Sequence, residues 1–251
     1  MSGHSKWANI KHRKAAQDKK RGKDFARAIR AIEVAAKEAG TSDPDQHAGL
    51  GLAVQKAKQA SVPKDTIERA CKRGAGQLGD ASDYQSVQYE GYAPGGVAVL
   101  VDCLTDNRNR ASGDVRHAFS KVGGSLANPG SVAYLFRRRG QVLLATGASE
   151  DDIMMAGLDA GLEAIEDTGD GFVAWCDPSD AKALSDALAA AGLEVADAGS
   201  TMVADLNVAV EDVTEARRIL RLMDLLDDCD DVQDVYANFD MSDEVMAEAA
   251  Q

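Results

Sequence analysis

The spacing of apolar residues changes once along this chain, and that change constrains its fold more than any other feature. Before residue 76 the apolar residues recur at helical spacing, and Phe25, Ile29, Ile32 and Ala36 form one stripe of an expected helix. From residue 97 onward, strand-length apolar runs alternate with amphipathic helices. The segment 74–83, rich in Gly, Ser and Asp, is the expected linker between the two regions.

Two more helices are predicted before the linker. Ser42 or Asp43 can cap a second helix, and Pro63 and Gly74 delimit a third. We therefore expect an all-helical head over residues 1–76.

A ferredoxin-like domain is predicted over residues 137–198. Its elements follow the order βαββαβ, which is the split βαβ unit. The predicted strands are 141–146, 163–168, 171–176 and 193–198, and the predicted helices are 150–161 and 178–191.

The segments on either side of this domain give the same order, interrupted at its central hairpin. The predicted strands are 97–104, 131–136, 200–208 and 232–238, with helices at 108–121 and 213–227. We therefore expect an α+β protein with an N-terminal helical domain followed by two ferredoxin-like α/β domains, one inserted in the other. The discontinuous domain would comprise 77–136 and 199–251 and would hold the acidic inserted domain 137–198.

Charge is divided unevenly between these regions. Residues 1–76 carry 17 Lys/Arg against 8 Asp/Glu, whereas residues 77–251 carry 11 against 33, and the formal net charge of the chain is −13. A basic head on an acidic body indicates a polyanion partner for the head. The acidic domains would contact a protein partner or keep the chain in solution.

The N-terminal segment 1–30 holds ten basic side chains and only two acids, so we expect it to bind DNA or ribosomal RNA. Trp7 and His12 offer flat faces on which bases can stack. The alternatives are a solvated helix face and an anionic membrane surface, but the apolar face lacks the bulk of an interfacial helix. The candidate residues are Lys6, Trp7, Lys11, His12, Arg13, Lys14, Lys19, Lys20, Arg21 and Lys23.

A second candidate site lies at a predicted strand-to-helix turn over residues 105–110. Helix N-termini bind anions, and Arg108 and Arg110 would add fork-like phosphate contacts there, with Arg116 further along the helix. The alternative is that Asp106 and its neighbour only cap the helix while the arginines pair with nearby acids. The residues leave both readings open.

Three other segments carry no predicted chemistry. The glycine-rich segment 91–96 is a tight turn, because no Lys-Ser/Thr follows it as in a P-loop. The aromatic strand 171–175 lies in the acidic part of the chain and is expected in a core. The acidic run 227–231 lacks the glycine of a calcium loop and is expected to be a solvated turn.

The remaining features exclude several classes of protein. The four cysteines lie far apart in the sequence and form no zinc pattern, so we expect reduced thiols and neither a metal nor a cofactor. No catalytic triad or nucleophile elbow is present, so an enzyme is not expected. No apolar run is long enough to span a bilayer and no signal peptide precedes the head, which predicts a cytoplasmic protein without a membrane partner.

Several long motifs resemble the YebC/PmpR family. They are residues 3–10, 12–18, 63–65, 89–92, 105–110, 115–121, 130–134 and 228–233. The resemblance implies a cytoplasmic three-domain protein without catalytic activity. It also implies one of two roles: a DNA-binding transcriptional regulator, or a ribosome-associated translation factor that helps difficult stretches such as consecutive prolines.

One departure from the family pattern lies in the second helix. Family members usually have arginines where this chain has Gly49 and Gly51, which removes two phosphate contacts. Each glycine inside a helix costs about 0.5–1 kcal/mol relative to alanine. The departure leaves the basic segment 1–30 intact.

Three functions remain open on the sequence. Against a DNA-binding regulator, no clear helix-turn-helix or dimer seam is visible. A basic arm with aromatic faces suits folded RNA, which presents unpaired bases. Paired ferredoxin-like units could also form a small-molecule sensor. We expect a non-enzymatic nucleic-acid-binding regulator of gene expression, with transcription first and translation second.

Overall fold

A computed structural model describes residues 21–79, 83–169 and 171–249. Within these ranges the protein has an α+β fold, with helices in the N-terminal region followed by two four-stranded sheets. Contacts between residues divide these ranges into two compact units. The first unit contains residues 21–23, 83–137 and 203–249, and the second contains residues 24–79 and 138–202.

Three α-helices lie within the described residues 21–79: α1 (Arg21–Ala39), α2 (Ala48–Gln59) and α3 (Lys64–Gly74). The predicted apolar stripe of α1 is confirmed, because Ile32 and Ala36 are fully buried and Phe25 and Ile29 pack against the same cluster. The partners in this cluster come from the other two helices and include Leu50, Val54, Ala57, Ile67, Ala70 and Cys71.

The cap of α2 differs from the prediction. A 3-10 turn (Pro44–Gln46) precedes the helix, and Asp43 caps that turn by accepting a hydrogen bond from the Asp45 amide. The cap of α2 is His47, whose Nδ1 accepts from the Leu50 amide at 3.4 Å. A Cβ at Gly51 would lie 3.1 Å from the carbonyl oxygen of Pro44, so this glycine lets the turn approach the helix closely.

A buried ion pair joins α1 to α3. The Glu33 side chain is 6% exposed, and one of its oxygens lies 2.6 Å from Nη1 of Arg73. Beside this pair the helices approach so closely that a Cβ at Gly74 would lie 2.8 Å from Cβ of Ala36 and would collide with the carbonyl of Glu33. The end of α3 therefore requires glycine for packing.

The first α/β region begins with a hairpin of β1 (Gln85–Tyr92) and β2 (Ala98–Thr105). The glycine-rich segment forms its tight turn, as predicted, with φ of 74° at Gly95 and 76° at Gly96. Helix α4 (Arg108–Val122) and the short strand β3 (Ser125–Leu126) follow, and β3 pairs antiparallel with β1.

The next six elements form the predicted βαββαβ order. They are β4 (Phe136–Leu144), α5 (Glu150–Gly157), β5 (Leu162–Asp167), β6 (Phe172–Cys176), α6 (Ala181–Ala190) and β7 (Val195–Ala204). The sheet order β5-β6-β4-β7 is that of a ferredoxin-like unit. Within β6, Val173, Ala174 and Trp175 are buried, which confirms the expectation that this aromatic strand packs in a core.

The chain then returns to the first sheet. A short strand β8 (Val208–Ala209) precedes helix α7 (Val213–Asp227) and strand β9 (Val232–Ala237), which pairs antiparallel with β2. Strand β10 (Phe239–Asp240) pairs with β8, and helix α8 (Asp243–Ala249) follows. The first sheet has the order β3-β1-β2-β9, and α4 and α7 bury Phe119, Leu222 and Leu226 in its core.

Two strands predicted for this first sheet are wrong. Residues 131–136 contain a 3-10 turn (Ala133–Leu135), because their backbone amides bind the Glu90 carboxylate and are lost to a strand ladder. Residues 200–204 belong to β7 and extend the other sheet. Strands β1 and β3 occupy the places in the sheet that the two predicted strands would have held. Neighbouring strands are antiparallel, as predicted, but they come from different parts of the chain. The boundaries of the three domains stay a prediction.

The close approach at Gly74 can be tested with two alanine substitutions. We expect Gly74→Ala to lower the free energy of unfolding by roughly 1–3 kcal/mol, because its Cβ has no space. Gly113→Ala in α4 is the matched control, since no atom lies within 4 Å of its Cβ and helix propensity should raise stability by about 0.5–1 kcal/mol. Urea unfolding monitored by circular dichroism measures both. Equal effects of the two changes would contradict the packing argument.

Candidate nucleic-acid interface

Most of the candidate residues predicted at the N-terminus lie outside the described residues. These are Lys6, Trp7, Lys11, His12, Arg13, Lys14, Lys19 and Lys20. Arg21 is the first described residue of α1. Lys23 donates from Nζ to the carbonyl oxygen of Asp228 at 2.7 Å and lies 3.8 Å from the carboxylates of Asp228 and Asp230. Lys23 thus contacts an acidic turn within the first unit.

The predicted strand-to-helix turn forms between β2 and α4. The side chain of Asn107 caps the helix by accepting hydrogen bonds from the amides of Asn109 and Arg110. Thr105 at the end of β2 is fully buried, and its hydroxyl contacts the carboxylate of Asp231 at 3.1 Å. The turn is therefore anchored from inside the unit.

Arg110 pairs with acids, as the alternative interpretation of this turn proposed. Its Nε and Nη2 donate to the two carboxylate oxygens of Asp231 at 3.0 and 2.9 Å, and Nη2 also donates to Asp106 at 2.8 Å. These hydrogen bonds, first of all those to Asp231, raise the pKa of Arg110 above its already high usual value. Only Nη1 is left to reach a phosphate, and two carboxylates surround the cation.

The acidic run 227–231 is not the solvated turn that the sequence predicted. Asp227 and Asp231 are each 3% exposed, whereas Asp228 is exposed. Asp231 is buried because Arg110 and Thr105 satisfy its carboxylate, and its carbonyl oxygen accepts from the amide of Leu104. The run is thus an anchor between β2, α4 and β9.

The exposed side of α4 carries cations. Its opposite side buries Ala111, Val115, Ala118, Phe119 and Val122, whereas the exposed side presents Arg116, His117 and Lys121, with Asp114 as the acid among them. Arg108 is exposed in the first turn, in line with the buried stripe. His117 and Lys121 are four residues apart and lie on the same side of the helix. Arg116 therefore lies with His117 and Lys121 on the exposed part of α4, and Arg108 lies exposed at its N-terminal end.

Helices α2 and α3 are joined by a four-residue connection, 60–63. A connection of this length occurs in helix-turn-helix motifs and in helix hairpins. Ser61 in this connection has a φ of 60°, a left-handed conformation in which a glycine is more usual. Ile67, Ala70 and Cys71 of α3 are buried, and Lys64, Glu68, Arg69 and Lys72 are exposed.

A buried carboxylate organises the loop 127–135. Glu90 of β1 is 6% exposed and accepts hydrogen bonds from the amides of Gly130 and Val132 at 2.6 Å and of Ala133 at 2.8 Å. Burial alone would raise the pKa of Glu90, but the amide hydrogen bonds from Val132 and its neighbours outweigh it and lower the pKa. The carboxylate therefore stays charged and holds the loop.

The thiols and acids of the described ranges form no candidate metal centre. No group of three or more His, Cys, Asp or Glu there could hold a metal ion. Burial, followed by the negative charges of Asp180, Glu163 and Asp177, raises the pKa of the Cys176 thiol to about 11. In the same part of the chain, none of the helices combines the length and apolar character needed to cross a membrane.

Two known protein-family domains match most of the sequence of this chain. The family description "TACO1/YebC protein N-terminal domain" matches residues 5–77, and "TACO1/YebC second and third domain" matches residues 84–239. The chain belongs to the TACO1/YebC family. It is similar to proteins named "Probable transcriptional regulatory protein" in Corynebacterium diphtheriae and in Saccharopolyspora erythraea, each 55% identical over 249 residues and 99% of both chains.

A solved structure shares the fold of this TACO1/YebC chain. The crystal structure of a conserved hypothetical protein from Aquifex aeolicus superposes with a TM-score of 0.82 at 36% sequence identity. The match covers 91% of this chain and 94% of that one.

Several important residues of this family member were missed by sequence reasoning. Glu90 and Asp231 are buried anchors whose partners lie far along the chain, so no local pattern marks them. The arginine run 137–139 was visible as three consecutive cations. Arg137 pairs with Asp205 at 3.0 Å, and Arg139 pairs with Glu163 at 2.8 Å and stacks over Trp175.

The pairing of Arg110 predicts a structural role that its neighbour Arg116 lacks. Arg110→Met should lower the free energy of unfolding by about 2 kcal/mol, because it leaves Asp231 buried without its cation. The expected loss is smaller than for a fully buried pair, because solvent screens the half-exposed arginine. Arg116→Met is the matched control on the exposed face and should change stability by less than about 0.5 kcal/mol. Urea unfolding checks both. A destabilisation by Arg116→Met as large as that by Arg110→Met would contradict this division of roles.

The lowered pKa of Glu90 predicts a pH dependence of stability. We expect Glu90→Gln to cost roughly 1.5–3 kcal/mol at neutral pH, because the amide cannot accept all the hydrogen bonds. The stabilisation by Glu90 is complete above the unfolded-state pKa of about 4.3, and falls as the pH drops through the lower folded-state pKa. The gap between wild type and variant should therefore close in acid.

Urea midpoints across a pH series measure this gap. Glu211→Gln, at an exposed position of the same unit, is the control and should leave stability within about 0.5 kcal/mol of wild type. A gap that stays constant down to about pH 3 would rule out the charged carboxylate as the source of the stabilisation.

Proposed function

We propose that this chain is a non-enzymatic, cytoplasmic, nucleic-acid-binding regulator of gene expression, and that its main activity is transcriptional regulation through DNA. The observation that carries the proposal is the presence of ten basic side chains and only two acids in the segment 1–30. Such a segment repels itself unless a polyanion neutralises it. The names of the relatives, which call them probable transcriptional regulatory proteins, point the same way.

The proposed nucleic-acid contacts come from two places. The main contact is the N-terminal segment with Lys6, Trp7, Lys11, His12, Arg13, Lys14, Lys19, Lys20, Arg21 and Lys23. The second contact is α4, with Arg108 exposed in its first turn and Arg116 on its exposed face, to which His117 and Lys121 add. Arg110 contributes mainly by fixing the turn, because Asp231 and Asp106 already hold its guanidinium.

The connection between α2 and α3 favours DNA. The exposed side of α3 presents Lys64, Arg69 and Lys72, which can donate hydrogen bonds to base edges and phosphates in a groove, and Glu68, which can accept from a cytosine amino group. A helix that follows a four-residue turn is the element that helix-turn-helix proteins place in the major groove.

The second candidate is a translation factor that binds ribosomal RNA and relieves stalling at sequences such as consecutive prolines. Trp7 and His12 favour it, since flat side chains within a basic segment suit unpaired bases in folded RNA. The acidic domains would then contact a protein partner or extend past the RNA without adhering to it.

Charge reversal tests the N-terminal contact. We expect the triple variant Lys11→Glu, Arg13→Glu, Lys14→Glu to abolish nucleic-acid binding with an unchanged thermal unfolding profile for residues 77–251. If about six phosphates are neutralised, the wild-type log affinity should fall with log salt at a slope of about −4 to −5. Fluorescence anisotropy with labelled DNA and RNA measures the affinity and its salt dependence. Circular dichroism on heating measures the unfolding profile.

The control for this variant is Lys182→Glu, Arg218→Glu, Arg221→Glu, which changes the net charge by the same amount outside the proposed contacts. It should retain binding. If it loses as much affinity as the N-terminal variant, binding reflects the overall charge and the proposed contact is wrong. If the N-terminal variant binds normally, the segment is not the contact.

Fractionation of a lysate separates the two candidates. Co-migration with ribosomal particles that RNase abolishes and DNase leaves intact would make the chain a translation factor. Co-migration with DNA that survives RNase and is lost on DNase treatment would support transcription.

A further inference from the structure

The loop 127–135 between β3 and β4 presents an aromatic ring to solvent. Tyr134 at its end is 73% exposed, whereas Val132, two residues earlier, is fully buried. Exposed aromatic side chains are uncommon on this chain, which has only 5% aromatic residues. The nucleic-acid contacts proposed above do not use this ring.

The backbone that carries Tyr134 is held by hydrogen bonds along its whole length. The Glu90 carboxylate accepts from three amides of the loop, and the carbonyl oxygen of Glu90 accepts from the amide of Ala127. The hydroxyl of Tyr92 donates to the carbonyl oxygen of Ser131 at 3.1 Å. The carbonyl oxygen of Leu135 accepts from the amide of Asp205. The fold therefore uses a buried carboxylate to fix a loop whose outer side contacts solvent.

A tyrosine side chain on a fixed backbone has only two torsion angles to order when a planar ligand stacks on it. Two exposed polar side chains near Tyr134 in the sequence suit a nucleotide. Asn128 in the same loop is exposed and can bind the edge of a base through its amide. Arg137, three residues beyond Tyr134, has a side chain 61% exposed; it pairs with Asp205 but keeps further guanidinium donors for a phosphate.

We propose that Tyr134 is a stacking platform for an unpaired nucleobase, with Asn128 of the same loop for the base edge and Arg137 at the start of β4 for the adjacent phosphate. This inference rests on the proposed nucleic-acid-binding function and adds the kind of nucleic acid that the first unit recognises. A base inside a duplex is stacked on both faces and cannot reach the ring, so the platform selects single-stranded or looped segments.

The test compares the affinity of three full-length proteins for a labelled single-stranded oligoribonucleotide and for the corresponding duplex. Tyr134→Leu keeps apolar bulk and removes the aromatic face, and it should weaken single-strand binding roughly 5- to 100-fold. Tyr134→Phe keeps the face and should bind within about twofold of wild type. Duplex affinity should be the same in all three.

Leu206→Ala is the matched control for a general apolar contact. Leu206 is 70% exposed, and it follows Asp205, which is bonded to the same loop. This variant should bind both oligonucleotides normally. If it weakens single-strand binding as much as Tyr134→Leu does, the surface is an apolar contact and the stacking proposal is wrong.

A second readout locates the base directly. A single strand substituted with 5-iodouracil and irradiated in the complex should cross-link to the peptide that contains Tyr134, and mass spectrometry identifies that peptide. Unchanged single-strand affinity in Tyr134→Leu together with no such cross-link would overturn the proposal and leave the ring to a protein partner. If wild type binds neither of these oligonucleotides nor a DNA duplex of the same sequence, the proposed nucleic-acid-binding function itself fails, which is a distinct outcome.

Discussion

The hydrogen-bonded carboxylate of Asp231 connects the two pieces of chain that build the first unit. One piece contains Thr105 at the end of β2 and Arg110 in the first turn of α4, and the other contains Asp231 immediately before β9. A buried carboxylate is costly unless it is paired and hydrogen-bonded, so these partners must come together for the unit to close. The pairing of β2 with β9 continues from this point. The same interaction uses most of the donors of Arg110, so our proposal assigns the phosphate contacts of this helix mainly to Arg108 and Arg116.

Glu90 applies the same principle to a segment without regular structure. Its carboxylate replaces a neighbouring strand as the acceptor for the amides of Gly130, Val132 and Ala133. Charged acceptors make stronger hydrogen bonds than neutral ones, so a short loop gains a fixed shape. The carboxylate of Asp231 thus anchors the start of α4, and that of Glu90 anchors the loop 127–135. These are the two elements of this unit to which we assign nucleic-acid contacts. Rigid support from beneath is what precise recognition on an exposed surface needs.

The elements with strong local patterns were predictable from the sequence, and those fixed by distant side chains were not. Helix α7 was predicted at its observed bounds, and α4 within one residue, because each carries a buried stripe and a polar cap. The strand predicted at 131–136 failed because Glu90, some forty residues earlier, captures its amides. The candidate site shows the same division: the cations were visible in the sequence, but the pairing of Arg110 with Asp231 spans 121 residues.

The uneven charge of the chain also restricts how a nucleic acid can approach it. Residues 77–251 carry 33 acids against 11 basic residues, so a long polyanion is repelled by most of this surface. Contacts must therefore be local, through a basic segment, one helix face or a single stacked base. An extended duplex needs a continuous basic surface along its length, whereas a folded or single-stranded segment can follow separate basic points. The charge pattern thus favours a compact nucleic-acid target, whereas the proposed role of α3 favours binding in a nucleic-acid groove. A short DNA site or an RNA loop meets both requirements.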